Sequence, residues 1–144
     1  MYLIDTDVIS ADAPGKQRAP ELLDWMDRNS ERLYLSAIAI AEIEDGIAKT
    51  RRGGASRKAA LLSQWLDALL HLYAERVLPF DVAAARLAGQ LSDLARSKGH
   101  APGFPDIAIA AIAKAHGLTV LTRNLKHFAV FGIPAHDPFK SLPR

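Results

Sequence analysis

A chain of 144 residues, 49% apolar and 24% charged, has the length and composition of one folded domain with a buried core, and not those of a disordered segment. A net charge of +2 and a pI near 9.0 permit an anionic partner without identifying one. Cysteine is absent, which excludes disulfides, thiolate metal sites and cysteine nucleophiles; no apolar run approaches a bilayer span or follows a basic leader, so the expected compartment is the cytoplasm.

In chain order, residues 1–5 read as a buried strand and residues 6–10 as the turn and helical start after it. Residues 11–19 read as a loop, marked by Pro14 and Gly15. Leu22, Leu23, Trp25 and Met26 have helical spacing over 20–29, with Pro20 suited to the first turn. Leu33, Tyr34 and Leu35 form a second strand, and Ser36 caps a helix that runs to about Lys49. Lys49, Arg51, Arg52, Arg57 and Lys58 then cluster around Gly53 and Gly54, either as a solvated loop or as a surface for phosphate backbones. Residues 55–76 carry one apolar stripe, Leu61, Leu62, Trp65, Leu69, Leu70 and Tyr73, and read as a long amphipathic helix. Trp25, Trp65 and Tyr73 lie on such stripes and are core residues. Residues 77–80 form a third strand shortened by Pro79. Asp81 caps a helix from Val82 to about Lys98, ended by Gly99. A helix over 106–116 stops at Gly117, residues 118–121 form a fourth strand, and residues 133–136 an edge strand. Strands alternating with helices imply parallel crossovers: an α/β fold, a three-layer α/β/α sandwich whose ligand crevice lies beyond the carboxyl ends of the strands.

Four polar residues stand in or beside these apolar runs. Asp5 ends the first strand, Glu42 interrupts Ala37 to Ile43, Asp106 opens Ile107 to Ala113, and Asn124 follows Val120 to Arg123. A buried carboxylate is costly without a cation, and none of the first three runs contains a lysine or arginine. A divalent ion answers that cost. Three carboxylates and an amide suit one firmly held ion and a second recruited with substrate, about 4 Å away, activating a water for in-line attack on a phosphodiester. Without the ion the carboxylates raise one another's pKa. Three of the four also have a plainer reading: Asp5 and Asp106 as helix N-terminal residues, Asn124 as a turn residue. Glu42, surrounded by alanine and isoleucine, lacks one. Asp45, three residues on, is a candidate auxiliary ligand. Asp7 points to the other side of its turn. Thr6, Ser36 and Thr122 are either hydroxyls that orient the carboxylates or simple caps. His71, His100, His116, His127 and His136 lack zinc-site spacing and read as surface or loop residues.

Leu3-Ile4-Asp5-Thr6-Asp7-Val8-Ile9, Ser36-Ala37-Ile38-Ala39-Ile40-Ala41-Glu42-Ile43, Asp106-Ile107-Ala108-Ile109-Ala110-Ala111 and Leu121-Thr122-Arg123-Asn124 resemble, in order, the motifs of PIN-domain ribonucleases. The stretch Arg76-Val77-Leu78-Pro79-Phe80-Asp81 resembles the branch holding VapC-type toxins and FitB proteins, and the similarity spans residues 1 to about 139. The resemblance implies a single PIN-like domain over 1–144 with a mostly parallel five-stranded sheet. It also implies a Mg²⁺- or Mn²⁺-dependent endoribonuclease that is the toxin of a toxin–antitoxin pair. Asp5, Glu42 and Asp106 match the acidic metal ligands, and Asn124 matches a fourth position often held by aspartate, with one negative charge fewer. Lys126-His127-Phe128 departs from relatives with an acidic residue before the phenylalanine. The implied partners are RNA, a second copy of the chain, and an antitoxin whose tail pushes a basic side chain toward the carboxylates and through which operator DNA is reached. No membrane partner is expected. Two other readings compete: a non-catalytic binding module of the same fold in an antitoxin–DNA complex, and a haloacid-dehalogenase-like phosphatase with Asp5 as nucleophile and Asp7 as acid/base, for which Thr122-Arg123-Asn124 supplies no late acidic pair.

Overall fold

The apolar runs around Leu3, Leu33, Val77 and Val120 each become a strand. In the computed structural model, which describes residues 1–16 and 19–144, these are β1 (Tyr2–Ile4), β2 (Leu33–Ser36), β3 (Val77–Leu78) and β4 (Thr119–Leu121), joined at one edge by β5 (Ala135–His136). Residues 17 and 18 of the predicted loop lie outside the described residues. The sheet is parallel throughout, in the order β3-β2-β1-β4-β5, so the first strand made sits in the centre.

Helices α1 (Thr6–Ile9), α2 (Pro20–Arg28), α3 (Ala37–Arg52), α4 (Ser56–Tyr73), α5 (Val82–Ser97), α6 (Phe104–His116) and α7 (Leu125–Ala129) make the connections. Alternation along each strand divides the core in two. Leu3 and Val120 face one side, packing with Ala88, Leu91 and Ala95 of α5, Ile109 and Ile112 of α6, and Phe128 of α7. Ile4 and Leu121 face the other, with Leu33 and Leu35, Ile43 and Ile47 of α3, and Leu66 and Tyr73 of α4. Each fully buried leucine, isoleucine or phenylalanine contributes about 1.5–3 kcal/mol. The α/β/α sandwich expected from the alternating pattern is therefore the observed architecture. Tyr73 is buried, and Trp25 and Trp65 pack partly buried against the second core.

The predicted caps form. Ser36 Oγ accepts from Ala39 N at 3.0 Å, Asp81 Oδ1 accepts from Ala84 N at 2.9 Å, and Gly117 ends α6 at φ 65°. Some boundaries differ from expectation. Helix α3 continues to Arg52 and α4 starts at Ser56, so all five residues of the basic cluster are helical and only residues 53–55 form the loop. The long helix stops at Tyr73, where Ala74 takes φ 47° and a 3-10 turn (Ala74–Arg76) leads into β3. Helix α6 begins two residues early, since Pro105 is tolerated in a first turn. Only Ala135 and His136 of the expected edge strand pair with β4. Helix α7 is not predicted by the pattern of residues, because five positions are too few to show a period.

Candidate active site

A parallel sheet collects the residues that follow its strands at one edge, and a crossover helix returns its own first turn there. Asp5 follows β1, Glu42 lies in α3 after β2, Asp106 is in the first turn of α6, and Asn124 follows β4. All four lie at that edge, but their burial differs from the sequence expectation. Asp5 is buried, Asp106 is half-buried, and Glu42 and Asn124 are exposed. The apolar neighbours of Glu42 misled because Ala39, Ile43 and Ile47 take the buried face of α3, leaving Ala41 and Glu42 on its outer side.

Asp5 caps the turn into α1. Its Oδ1 accepts from Thr6 N at 2.9 Å and its Oδ2 from the Thr122 hydroxyl at 2.9 Å. Thr122 Oγ1 in turn accepts from Asn124 N at 2.9 Å, so the buried hydroxyl passes one bond through to the β4–α7 turn. Burial first, then the nearby charge of Asp7 and, least, that of Asp106 raise the Asp5 carboxyl to about 6, against the two hydrogen bonds. Of the three carboxylates expected to raise one another, only Asp106 contributes to the rise at Asp5, and it contributes less than burial or Asp7. Asp7 is also raised, mainly by burial. Its Oδ2 accepts in the β4–α7 turn from Arg123 N at 3.0 Å and from the Asn124 amide at 3.5 Å, and its charge reaches Asp5 instead of turning away from it as expected. Its Oδ1 is buried and makes no hydrogen bond among the described residues.

Glu42 is tied to the β1–α1 turn, its Oε1 accepting from the Thr6 hydroxyl at 2.7 Å. Thr6 and Thr122 are thus hydroxyls that hold carboxylates, whereas Ser36 only caps. Asp45 does not lean toward the site. It is exposed and pairs with Lys49 one turn on, at 3.2 Å. Asp106 Oδ2 lies 2.9 Å from His127 Nδ1. Sequence reasoning missed His127 by assigning every histidine to surface or loop; the departure at Lys126-His127-Phe128 was the available signal. Asn124 bonds Asp7 through its amide and Thr122 through its backbone N–H, and its side chain makes no hydrogen bond to the three carboxylates among the described residues.

Among the described residues no three acidic or imidazole side chains stand ready to share an ion as they lie. The hydrogen bonds explain this: Thr6 and Thr122 hold Asp5, Thr6 holds Glu42 and His127 holds Asp106. The donor set nevertheless fits a hard divalent cation. It consists of carboxylate oxygens, and the burial and like charge that hold Asp5 near 6 are what a cation would relieve.

With the fold and this edge described, comparison with known proteins gives the class. The family model for the PIN domain matches residues 2–132, and the chain belongs to that family. Within it, the chain is 37% identical over 142 residues to plasmid stability protein StbB of Pseudomonas syringae pv. tomato, covering 98% of this chain and all of that one. It is 35% identical to toxin FitB of Neisseria gonorrhoeae (96% of this chain, 99% of that one) and 36% identical to VapC ribonuclease Y4jK of Sinorhizobium fredii (97% and 99%). The crystal structure of FitAcB from Neisseria gonorrhoeae superposes with a TM-score of 0.84 at 36% identity, covering 96% of this chain and 99% of that one. FitAB bound to the IR36 DNA fragment superposes with a TM-score of 0.81 at 35% identity, covering 96% of each.

Proposed function

We propose that this chain is the toxin of a toxin–antitoxin pair and acts as a Mg²⁺- or Mn²⁺-dependent endoribonuclease in the cytoplasm. The observation that carries the reading is Asp5: a buried carboxylate at the carboxyl edge of the sheet, facing the like charges of Asp7 and Asp106. Similarity to FitB and to a VapC ribonuclease over nearly the whole chain supports it.

Asp5, Glu42 and Asp106 would hold the ion, with Asn124 assisting. When bound, the ion supplies Lewis-acid polarisation of the phosphodiester and a lowered pKa for water. The chain's own residues prepare the place. Thr122 fixes the rotamer of Asp5, Thr6 holds Glu42 beside the β1–α1 turn, and His127 holds Asp106. Holding the ion would exchange some of these hydrogen bonds for bonds to it. Asn124 would contribute an amide where a carboxylate would add charge, so the fourth position would bind more weakly than with aspartate.

The proposed partners are RNA, a second copy of the chain and a cognate antitoxin, with operator DNA reached through the antitoxin; the solved FitAcB and the DNA-bound FitAB assemblies are the relatives that support this. The test is cleavage of RNA with Mg²⁺ or Mn²⁺ by the native chain and by Asp5→Ala. Cleavage by the native chain and loss of at least about a hundredfold in the variant is expected, the scale of removing a principal electrostatic contributor. Equal cleavage by both would sink the assignment.

A further inference from the structure

A cavity of about 420 Å³ opens beside Asp106, between the loop preceding α6 and the first turns of α7. Its walls include His100, Gly103, Asp106, Lys126 and His127. One lysine and two imidazoles therefore share the cavity with one carboxylate, and that carboxylate is already bonded to His127. A second ammonium lies at the same wall, since Lys98 Nζ donates to the carbonyl of Val130, one of the wall residues, at 2.9 Å.

We propose that this cavity seats a phosphate of the RNA strand next to the one being cut. The inference rests on the endoribonuclease reading and adds to it the place where the strand is gripped. The ammonium groups of Lys126 and Lys98 outnumber the one carboxylate at the cavity; lysine gives charge-assisted bonds to phosphate oxygens, and an imidazole N–H adds a further donor. Asp106 lines the cavity and also belongs to the carboxylate edge, so a phosphate held there leaves its neighbour in the strand against the proposed metal ligands. Lys126 and His100 are both exposed and neither holds one of those carboxylates, so they position substrate and take no part in the chemistry.

The experiment compares the native chain with Lys126→Gln, His100→Gln and the double variant. A single-stranded RNA oligonucleotide is titrated at several salt concentrations in EDTA, kcat and KM are measured with Mn²⁺, and Mn²⁺ affinity is measured by calorimetry. The double variant is expected to bind RNA about tenfold more weakly, the scale of one charge-assisted hydrogen bond. Its plot of log affinity against log salt should be shallower by about 0.7 for each phosphate no longer neutralised. The rise should fall in KM, with kcat and Mn²⁺ affinity unchanged and with Lys126→Arg restoring binding. A folded double variant with native RNA affinity and native salt slope overturns the pocket while leaving the ribonuclease reading standing. Loss confined to kcat or Mn²⁺ affinity overturns it as well, since the residues would then belong to the metal centre. RNA binding that depends on the pocket, in a native chain that cuts no RNA, would uphold the pocket and remove the nuclease reading.

Discussion

Asp5 is held by two hydrogen bonds and opposed by its surroundings, and both effects are measurable. Its carboxyl is raised from 3.8 to about 6 in the folded chain, so the folded state binds a proton more tightly than the unfolded one. Stability contributed by that proton is complete below about pH 4 and is lost as pH rises through about 6. Metal-free protein in EDTA should therefore lose up to about 3 kcal/mol of unfolding free energy across that window, and Asp5→Asn should flatten the curve. A flat native curve would contradict the burial of Asp5. Thr122→Val removes the buried donor and should cost about 1–3 kcal/mol in urea unfolding, with the Asp5 titration moving higher still. Asn124→Asp places a second carboxylate against Asp7. It should lower the melting temperature without metal and tighten Mn²⁺ binding in calorimetry; unchanged affinity would separate Asn124 from the ion.

At the level of elements, the α4–β3 junction is the place where local geometry is forced. Ala74 is the one non-glycine residue with positive φ among those described, at φ 47° and ψ −117°, a conformation that glycine adopts without strain. Arg76 holds the junction there. Its guanidinium donates to Leu33 O at 2.8 Å, to Ser30 O and to Leu72 O at 3.2 Å, and lies 4.8 Å from the centre of the Tyr73 ring. Ala74→Gly should raise stability by about 1 kcal/mol in chemical denaturation, through relief of that strain. The same junction shows what the sequence could tell. The stripe from Leu61 to Tyr73 announced a long helix, yet nothing in Ala74-Glu75-Arg76 announced a break, because the cause is a set of carbonyls contributed by other elements. Helices α3 and α5, with a period and a capping residue each, were legible from residue types alone. The motifs located the four edge residues, but burial was misjudged at Glu42, where apolar neighbours on both sides in sequence are not neighbours on both sides in space. His127 stood out only as a departure from the motif, and its role was hidden for the converse reason: its partner Asp106 lies on a different helix.

The whole molecule is organised by a central strand whose two flanking strands come from distant parts of the chain. β2 follows β1 after two short helices and a loop, whereas β4 arrives only near the carboxyl end, and Thr122 bonds Asp5 across 117 positions. Among the described residues no helix is long and apolar enough to cross a membrane. A chain stopped after residue 118 contains Asp5, Glu42 and Asp106, yet lacks β4, β5 and the hydroxyl that fixes Asp5; it should neither cleave RNA nor show a raised Asp5 titration. This order of assembly has a meaning for translation. On the ribosome, Asp5 and Glu42 are made long before Asp106, and Asp5 waits 117 positions for the hydroxyl that fixes it. If the chain is the nuclease proposed above, its site would be assembled only after β4 has been made, an interval in which a partner made beforehand can be waiting.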